Sequence, residues 1–164
     1  MKGTAMIRLL TAVLAFAALG LGLGLGLAPA AARPRAHIAA PTEVAARFVA
    51  DFAGQRAAAM NEYVAADAPM TVPFSAQGPQ TLRGRAQTQG YFTQLFAKYA
   101  HITLSGVRLT PAADGHTVFI EALARYTNPA GQWHEVGNVW VIAVTRGLIT
   151  SSRSYAIPVT PIPG

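Results

Sequence analysis

The chain has 164 residues, 52% of them hydrophobic and 12% charged, and it contains no cysteine. That length gives room for one domain plus a leader, and the missing cysteines exclude a disulfide framework and a lipid-modified cysteine. The formal charge of +6 includes Lys2 and Arg8 near the start, and the other basic residues are scattered apart from Arg33-Pro34-Arg35 and Arg83-Gly84-Arg85, so the clustered stripe expected of a nucleic-acid binder is absent.

Residues 1–32 read as a signal peptide or an N-terminal membrane anchor. Lys2 and Arg8 form a positive start, no charge follows until Arg33, and Ala28-Pro29-Ala30 or Ala30-Ala31-Ala32 offers small residues for cleavage. The uncharged run is long enough to span a bilayer, which takes about 20 residues, while its repeated Leu-Gly is a poor helix former. Both readings place the domain outside the cytoplasm, as a secreted, periplasmic or membrane-anchored protein. Residues 33–40 read as a linker.

From Pro41 the chain reads as a helix that Thr42 caps and whose first turn Glu43 suits. Val44, Phe48 and Phe52, with Ala45 and Val49, form its apolar stripe. Gln55 to Ala66 reads as a second short helix, ended by Asp67-Ala68-Pro69. Met70 to Ser75 reads as a short strand and Ser75 to Arg83 as a loop. Gly84 to Tyr99 reads as a third helix with Phe92, Leu95, Phe96 and Tyr99 inward, and His101 to Leu109 as a strand. Residues 158–164 form a proline-rich tail.

Phe119 to Tyr155 reads as three long antiparallel strands. Asn128-Pro129-Ala130-Gly131 is a turn signal, and Arg146-Gly147 is a second, two-residue turn. A four-residue first loop places Thr127 opposite Gln132, Arg125 opposite His134, Glu121 opposite Asn138 and Phe119 opposite Trp140. The second turn places Asn138 opposite Tyr155 and Trp140 opposite Arg153. Alternation then gathers two rows on one face, Glu121-Asn138-Tyr155 and Phe119-Trp140-Arg153, with Arg125 and His134 toward the turn. The other face carries mostly small residues, which suits a sheet-to-sheet homodimer.

The element order predicts an α+β fold, a curved antiparallel sheet closed by three N-terminal helices into a cone with an internal pocket, a cystatin-like roll. Three local patterns carry a family resemblance. One is Tyr63 to Phe74, a helix end running into a short strand. Another is Leu82-Arg83-Gly84-Arg85 before an aromatic-rich helix. The third is Val144 to Ile149 followed by Arg153-Ser154-Tyr155. In their order and spacing, residues 41–157 resemble the SnoaL-like branch of the nuclear transport factor 2-like superfamily, whose members include isomerases, polyketide cyclases, epoxide hydrolases, dehydratases and non-catalytic binding domains.

The resemblance implies acids that this chain does not have. Ketosteroid isomerases of the superfamily carry a general-base Asp just before the proline of the first short strand, where this chain has Val72, and a second acid near the position of Trp140. A relocated acid at Glu121, beside Asn138 and Tyr155 as hydrogen-bond donors, would serve proton transfer on an apolar carbonyl compound. His134 beside Arg125 is a second acid/base candidate. Trp140, Arg153, Arg125, Phe119, Tyr63, Phe92 and Phe96 complete the expected ligand-binding set. Against this stands a plainer reading, in which the polar row is a self-satisfied network, His134 and Arg125 are a surface pair, and the domain binds or dimerises without catalysis. No metal set is expected, because His37, His101, His116 and His134 lie far apart in sequence, and no cofactor motif is present. The expected partner is a small apolar molecule.

Overall fold

A computed structural model describes residues 37–73 and 78–159. The expected leader, residues 33–36 of the linker, and residues 160–164 of the tail lie outside the described residues, as do residues 74–77 after the first strand. The element order is α1 (Pro41–Ala53), α2 (Ala57–Glu62), β1 (Pro69–Val72), β2 (Gln80–Arg83), α3 (Gly84–Lys98), β3 (Ala100–Pro111), β4 (Thr117–Thr127), β5 (Trp133–Thr145) and β6 (Leu148–Pro158). The six strands form one curved, open sheet in the order β2-β1-β6-β5-β4-β3. All neighbours pair antiparallel except β1 and β6, which run parallel through Met70–Ser152 and Thr71–Arg153. The expected α+β cone is the observed fold.

Helix α1 forms for the reasons its sequence gives, with one change at its start. Ala40, not Thr42, is the N-cap; Pro41 occupies the first turn, where its missing N–H costs nothing. The Glu43 carboxylate accepts from the Ala40 N–H at 2.7 Å. Val44, Ala45, Phe48 and Phe52 are buried along one stripe, and Asp51 is buried with them. Helix α2 is shorter than expected at both ends: Gln55 takes a left-handed φ of 55° before it, and beyond Glu62 the chain leaves the helix to bridge Val64 to Ile149. The stretch read as a loop before Arg83 contains β2, whose pairing with β1 is supplied by the tertiary fold rather than by any strand pattern of its own.

The two long hairpins differ from the expected register, and the differences decide which side chains enter the cone. The β4–β5 loop has five residues, not four. Thr127 pairs with Trp133, and the Asn128 N–H donates to Gln132 O across the loop. Glu121 therefore faces Val139, Phe119 faces Val141, and Ala122 faces Asn138. The Arg146-Gly147 turn is as expected, with Thr145 opposite Leu148, but an extra residue, Thr150, then bulges β6. Tyr155 consequently pairs with Val139, and Arg153 with Val141. A one-residue slip exchanges the two faces of a strand. Glu121 and Tyr155 still share a row, but that row lies on the outer face, and Asn138 is not in it.

The inner face carries Val118, Ile120, Ala122 and Ala124 from β4, Val136, Asn138, Trp140, Ile142 and Val144 from β5, and Ser152 from β6, all buried. Helices α1 and α3 cover it. Phe52 packs edge-on against Phe92, Phe96 and Trp140 at centroid distances of 6.1, 5.5 and 5.3 Å, which is favoured aromatic geometry.

Candidate functional site

The aromatic cluster does not fill the cone. It leaves one cavity of about 40 Å³ lined by Phe52, Leu95, Tyr99, Ile102, Ala124, Tyr126, Val136 and Asn138. A second, of about 30 Å³, lies among Phe52, Val72, Pro73, Tyr91, Phe92, Leu95, Asn138, Trp140 and Ser154. The two chambers share Phe52, Leu95 and Asn138. Both are small beside ordinary ligand pockets of roughly 300–1,000 Å³, because large rings occupy the middle of the cone. Each is nonetheless larger than the roughly 10–15 Å³ needed to admit a water.

Asn138 is the polar side chain common to both chambers. It is buried, and its Nδ2 donates to Val136 O at 3.0 Å. A carboxamide offers a second N–H and two carbonyl lone pairs beyond that bond. In this apolar setting such a group can orient one polar atom of a ligand. No Asp or Glu lines either chamber among the described residues.

The mouth of the larger chamber is built by Tyr99 at the end of α3 and Tyr126 near the end of β4. Their rings meet edge-on at 4.9 Å. Burial raises the pKa of Tyr126, and Tyr99 adds to the shift, so the Tyr126 hydroxyl keeps its proton. His134, paired with Tyr126 across the hairpin, stacks on that ring at 5.7 Å and 19°. The His134 Nε2 lies 3.0 Å from Asn128 Nδ2.

The expected site residues divide between the two faces. Asn138, Trp140, Phe92 and His134 belong to the inner side: Asn138 lines both chambers, Trp140 and Phe92 line the smaller, and His134 is exposed and lines neither, its ring lying against Tyr126 of the larger. Glu121, Tyr155, Phe119, Arg153 and Arg125 lie on the outer face and are exposed. Arg125 stands beside Glu135 at 4.0 Å and over the Trp133 ring at 4.5 Å, not opposite His134. Phe96 lies at an open groove between α2 and α3. The expected grouping of Glu121 with Asn138 fails because the turn holds one residue more than its Asn-Pro-Ala-Gly signal.

Tyr63 is buried away from both chambers. Its hydroxyl donates to Asp51 Oδ2 at 2.9 Å, and Arg56 donates from Nε to Asp51 Oδ1 at 2.8 Å. Arg47 reaches the same carboxylate at 3.7 Å and lies over the Tyr63 ring at 4.7 Å. This network ties α1 to α2. Sequence reasoning missed it, although Asp51 follows Phe48 by three and Arg47 by four, which places an acid at the edge of the buried stripe. Tyr126 and Tyr99 were also not expected at a site; the correct loop length is what brings Tyr126 opposite His134. Among the described residues no cluster of His, Asp or Glu has the arrangement to hold a metal.

Comparison with known proteins agrees with this fold. Residues 45–152 match the sequence profile of the SnoaL-like domain. No curated protein sequence matches the chain. A candidate isomerase from Bacillus subtilis superposes with a TM-score of 0.64 at 19% identity, covering 71% of this chain and 86% of that one. A candidate polyketide cyclase from Pseudomonas putida gives 0.64 at 17% identity, covering 71% and 91%. The epoxide hydrolase/cyclase-like enzyme SalBIII, of pyran ring formation in the polyether salinomycin, gives 0.62 at 23% identity, covering 71% and 90%. At these identities the likeness is one of fold.

Proposed function

The chain belongs to the SnoaL-like domain family, and from that premise we propose that it binds a small apolar molecule in the inner chamber of the cone, with Asn138 as the polar contact at depth. The observation that carries this reading is the buried Asn138 carboxamide, which lines both chambers and has hydrogen-bonding capacity beyond its bond to Val136 O. The ligand is of single-ring size or less, and it enters past the half-buried Leu95 and Tyr99.

The proposed chemistry is of the cyclase or isomerase kind that the family suggests, carried by donors rather than by a carboxylate base. Tyr126 lines the larger chamber, His134 stacks on its ring, and Glu121 is on the opposite side of the sheet. We place the domain outside the cytoplasm, on the strength of the basic start and long uncharged run of residues 1–32. The test is native mass spectrometry of the protein from its own source. A bound small molecule is expected, with occupancy lost in Asn138→Leu. A protein that carries nothing, and binds nothing from a panel of small cyclic ketones, would contradict the reading.

A second reading rests on the outer face. Phe119, Tyr155 and Ile157 are exposed there, at 41%, 53% and 68%, beside Val139 and Val141. Such a face suits a sheet-to-sheet homodimer. Sedimentation equilibrium would show a dimer that Tyr155→Asp dissociates; a monomer at all concentrations would exclude it.

A further inference from the structure

Asn128 does more than close the β4–β5 loop. Its Oδ1 accepts from the backbone N–H groups of Ala130 at 3.0 Å and Gln132 at 2.9 Å. Backbone N–H groups only donate, so these two bonds decide which end of the carboxamide is oxygen, and the other end is Nδ2. Nδ2 lies 2.9 Å from Gln132 Oε1 and 3.0 Å from His134 Nε2. The amide has two protons, one for each neighbour. His134 Nε2 must then accept, and an accepting ring nitrogen carries no proton. A neutral imidazole has one N–H, so it sits on Nδ1. Among the described residues Nδ1 has no partner.

We infer that Asn128 is a positioning residue that holds His134 in its Nδ1–H tautomer, making the chamber mouth a hydrogen-bond donor site for the carbonyl oxygen of a small apolar ketone. The groups around the mouth agree. Tyr126 stacks on His134 and presents a protonated hydroxyl, Lys98 Nζ lies 5.2 Å from the Tyr99 ring centre, and the chamber lining holds no carboxylate. Donors and positive charge at the rim select an acceptor and disfavour an ammonium group. This inference rests on the ligand reading above, and its first test does not require a ligand.

Long-range nitrogen–proton correlation spectra of the full chain at pH 8 read the tautomer directly. The expected result is a protonated Nδ1 and a bare Nε2 on His134. Asn128→Asp keeps both acceptor bonds to Ala130 and Gln132 but offers His134 only an acceptor, so the proton is expected to move to Nε2. A wild-type His134 protonated on Nε2, or a tautomer unmoved by Asn128→Asp, overturns the inference.

The second arm titrates cyclopentanone and cyclopentylammonium. The ketone is expected to shift the His134 Nδ1–H, where its single oxygen is held, and the ammonium to leave that proton unmoved. A ketone that moves Asn138 alone overturns the donor mouth while the ligand reading stands. A ketone that moves neither overturns both.

Discussion

Tyr63 shows how a single hydroxyl ties this domain to pH. Burial, and the bond it donates to Asp51, push its pKa well above the usual tyrosine value. In the unfolded chain the same group ionises near 10. Above that pH the folded state holds the proton that the unfolded state has lost, so stability falls as pH rises. The contribution is fully present below about pH 10 and is lost progressively above it. Denaturant midpoints measured from pH 8 to 11 are expected to decline in the wild type and to decline less steeply in Tyr63→Phe, where Tyr126 still contributes to the slope. At neutral pH that variant is expected to lose about 1–3 kcal/mol, because the buried Asp51 oxygen is left short of a donor. A Tyr63→Phe curve parallel to the wild type would mean that another group governs the alkaline limb. At this scale the sequence was partly readable. Tyr63 was visible as a conspicuous aromatic, but its role was assigned to a ligand because its partner Asp51 comes from the preceding helix, and a tertiary hydrogen bond leaves no periodic trace.

Helices were readable as elements because their periodicity is local. The stripe of Val44, Phe48 and Phe52 predicted α1, and the structure buries all three. The faces of the long hairpins were not readable, because they depend on counting residues in a loop and detecting a bulge. One extra residue in the 128–132 loop and one at Thr150 exchanged inside for outside across β4 and β6. Composition alone held a hint, since Ile120, Ala122 and Ala124 alternate with Phe119, Glu121 and Arg125 in the way a half-buried strand does.

The Leu82-Arg83-Gly84-Arg85 stretch, part of the family resemblance, has a physical cause. Gly84 adopts a φ of 74°, donates to Ala68 O at 3.0 Å, and would place a Cβ 2.3 Å from Ala66 O. It lets β2 turn directly into α3, which carries Leu95 and Phe92 to the chambers. Gly84→Ala is expected to cost more than the roughly 1–2 kcal/mol of left-handed strain alone, since backbone must also move. Urea unfolding measures it, and a loss under 1 kcal/mol would show that the junction adapts.

At the scale of the whole molecule, the fold was legible from element order, and the site was not. The order helix, helix, strand, helix, then antiparallel strands leaves few ways to cover one apolar sheet face. What the cone holds depends on register and on ring packing, both set by tertiary contacts. The outcome is a narrow interior anchored by Asn138, with charged and aromatic residues such as Glu121 and Tyr155 on the outside. The proposed function requires that small molecules bind on the inner face. The most direct measurement compares occupancy of the native ligand, by native mass spectrometry, in Ala124→Phe and Glu121→Gln. Ala124 lines the larger chamber, and Glu121 lies on the exposed outer face. Filling the chamber is expected to abolish occupancy while Glu121→Gln leaves it unchanged. Occupancy that survives Ala124→Phe in a folded protein, or that falls with Glu121→Gln, would contradict an inner-face site.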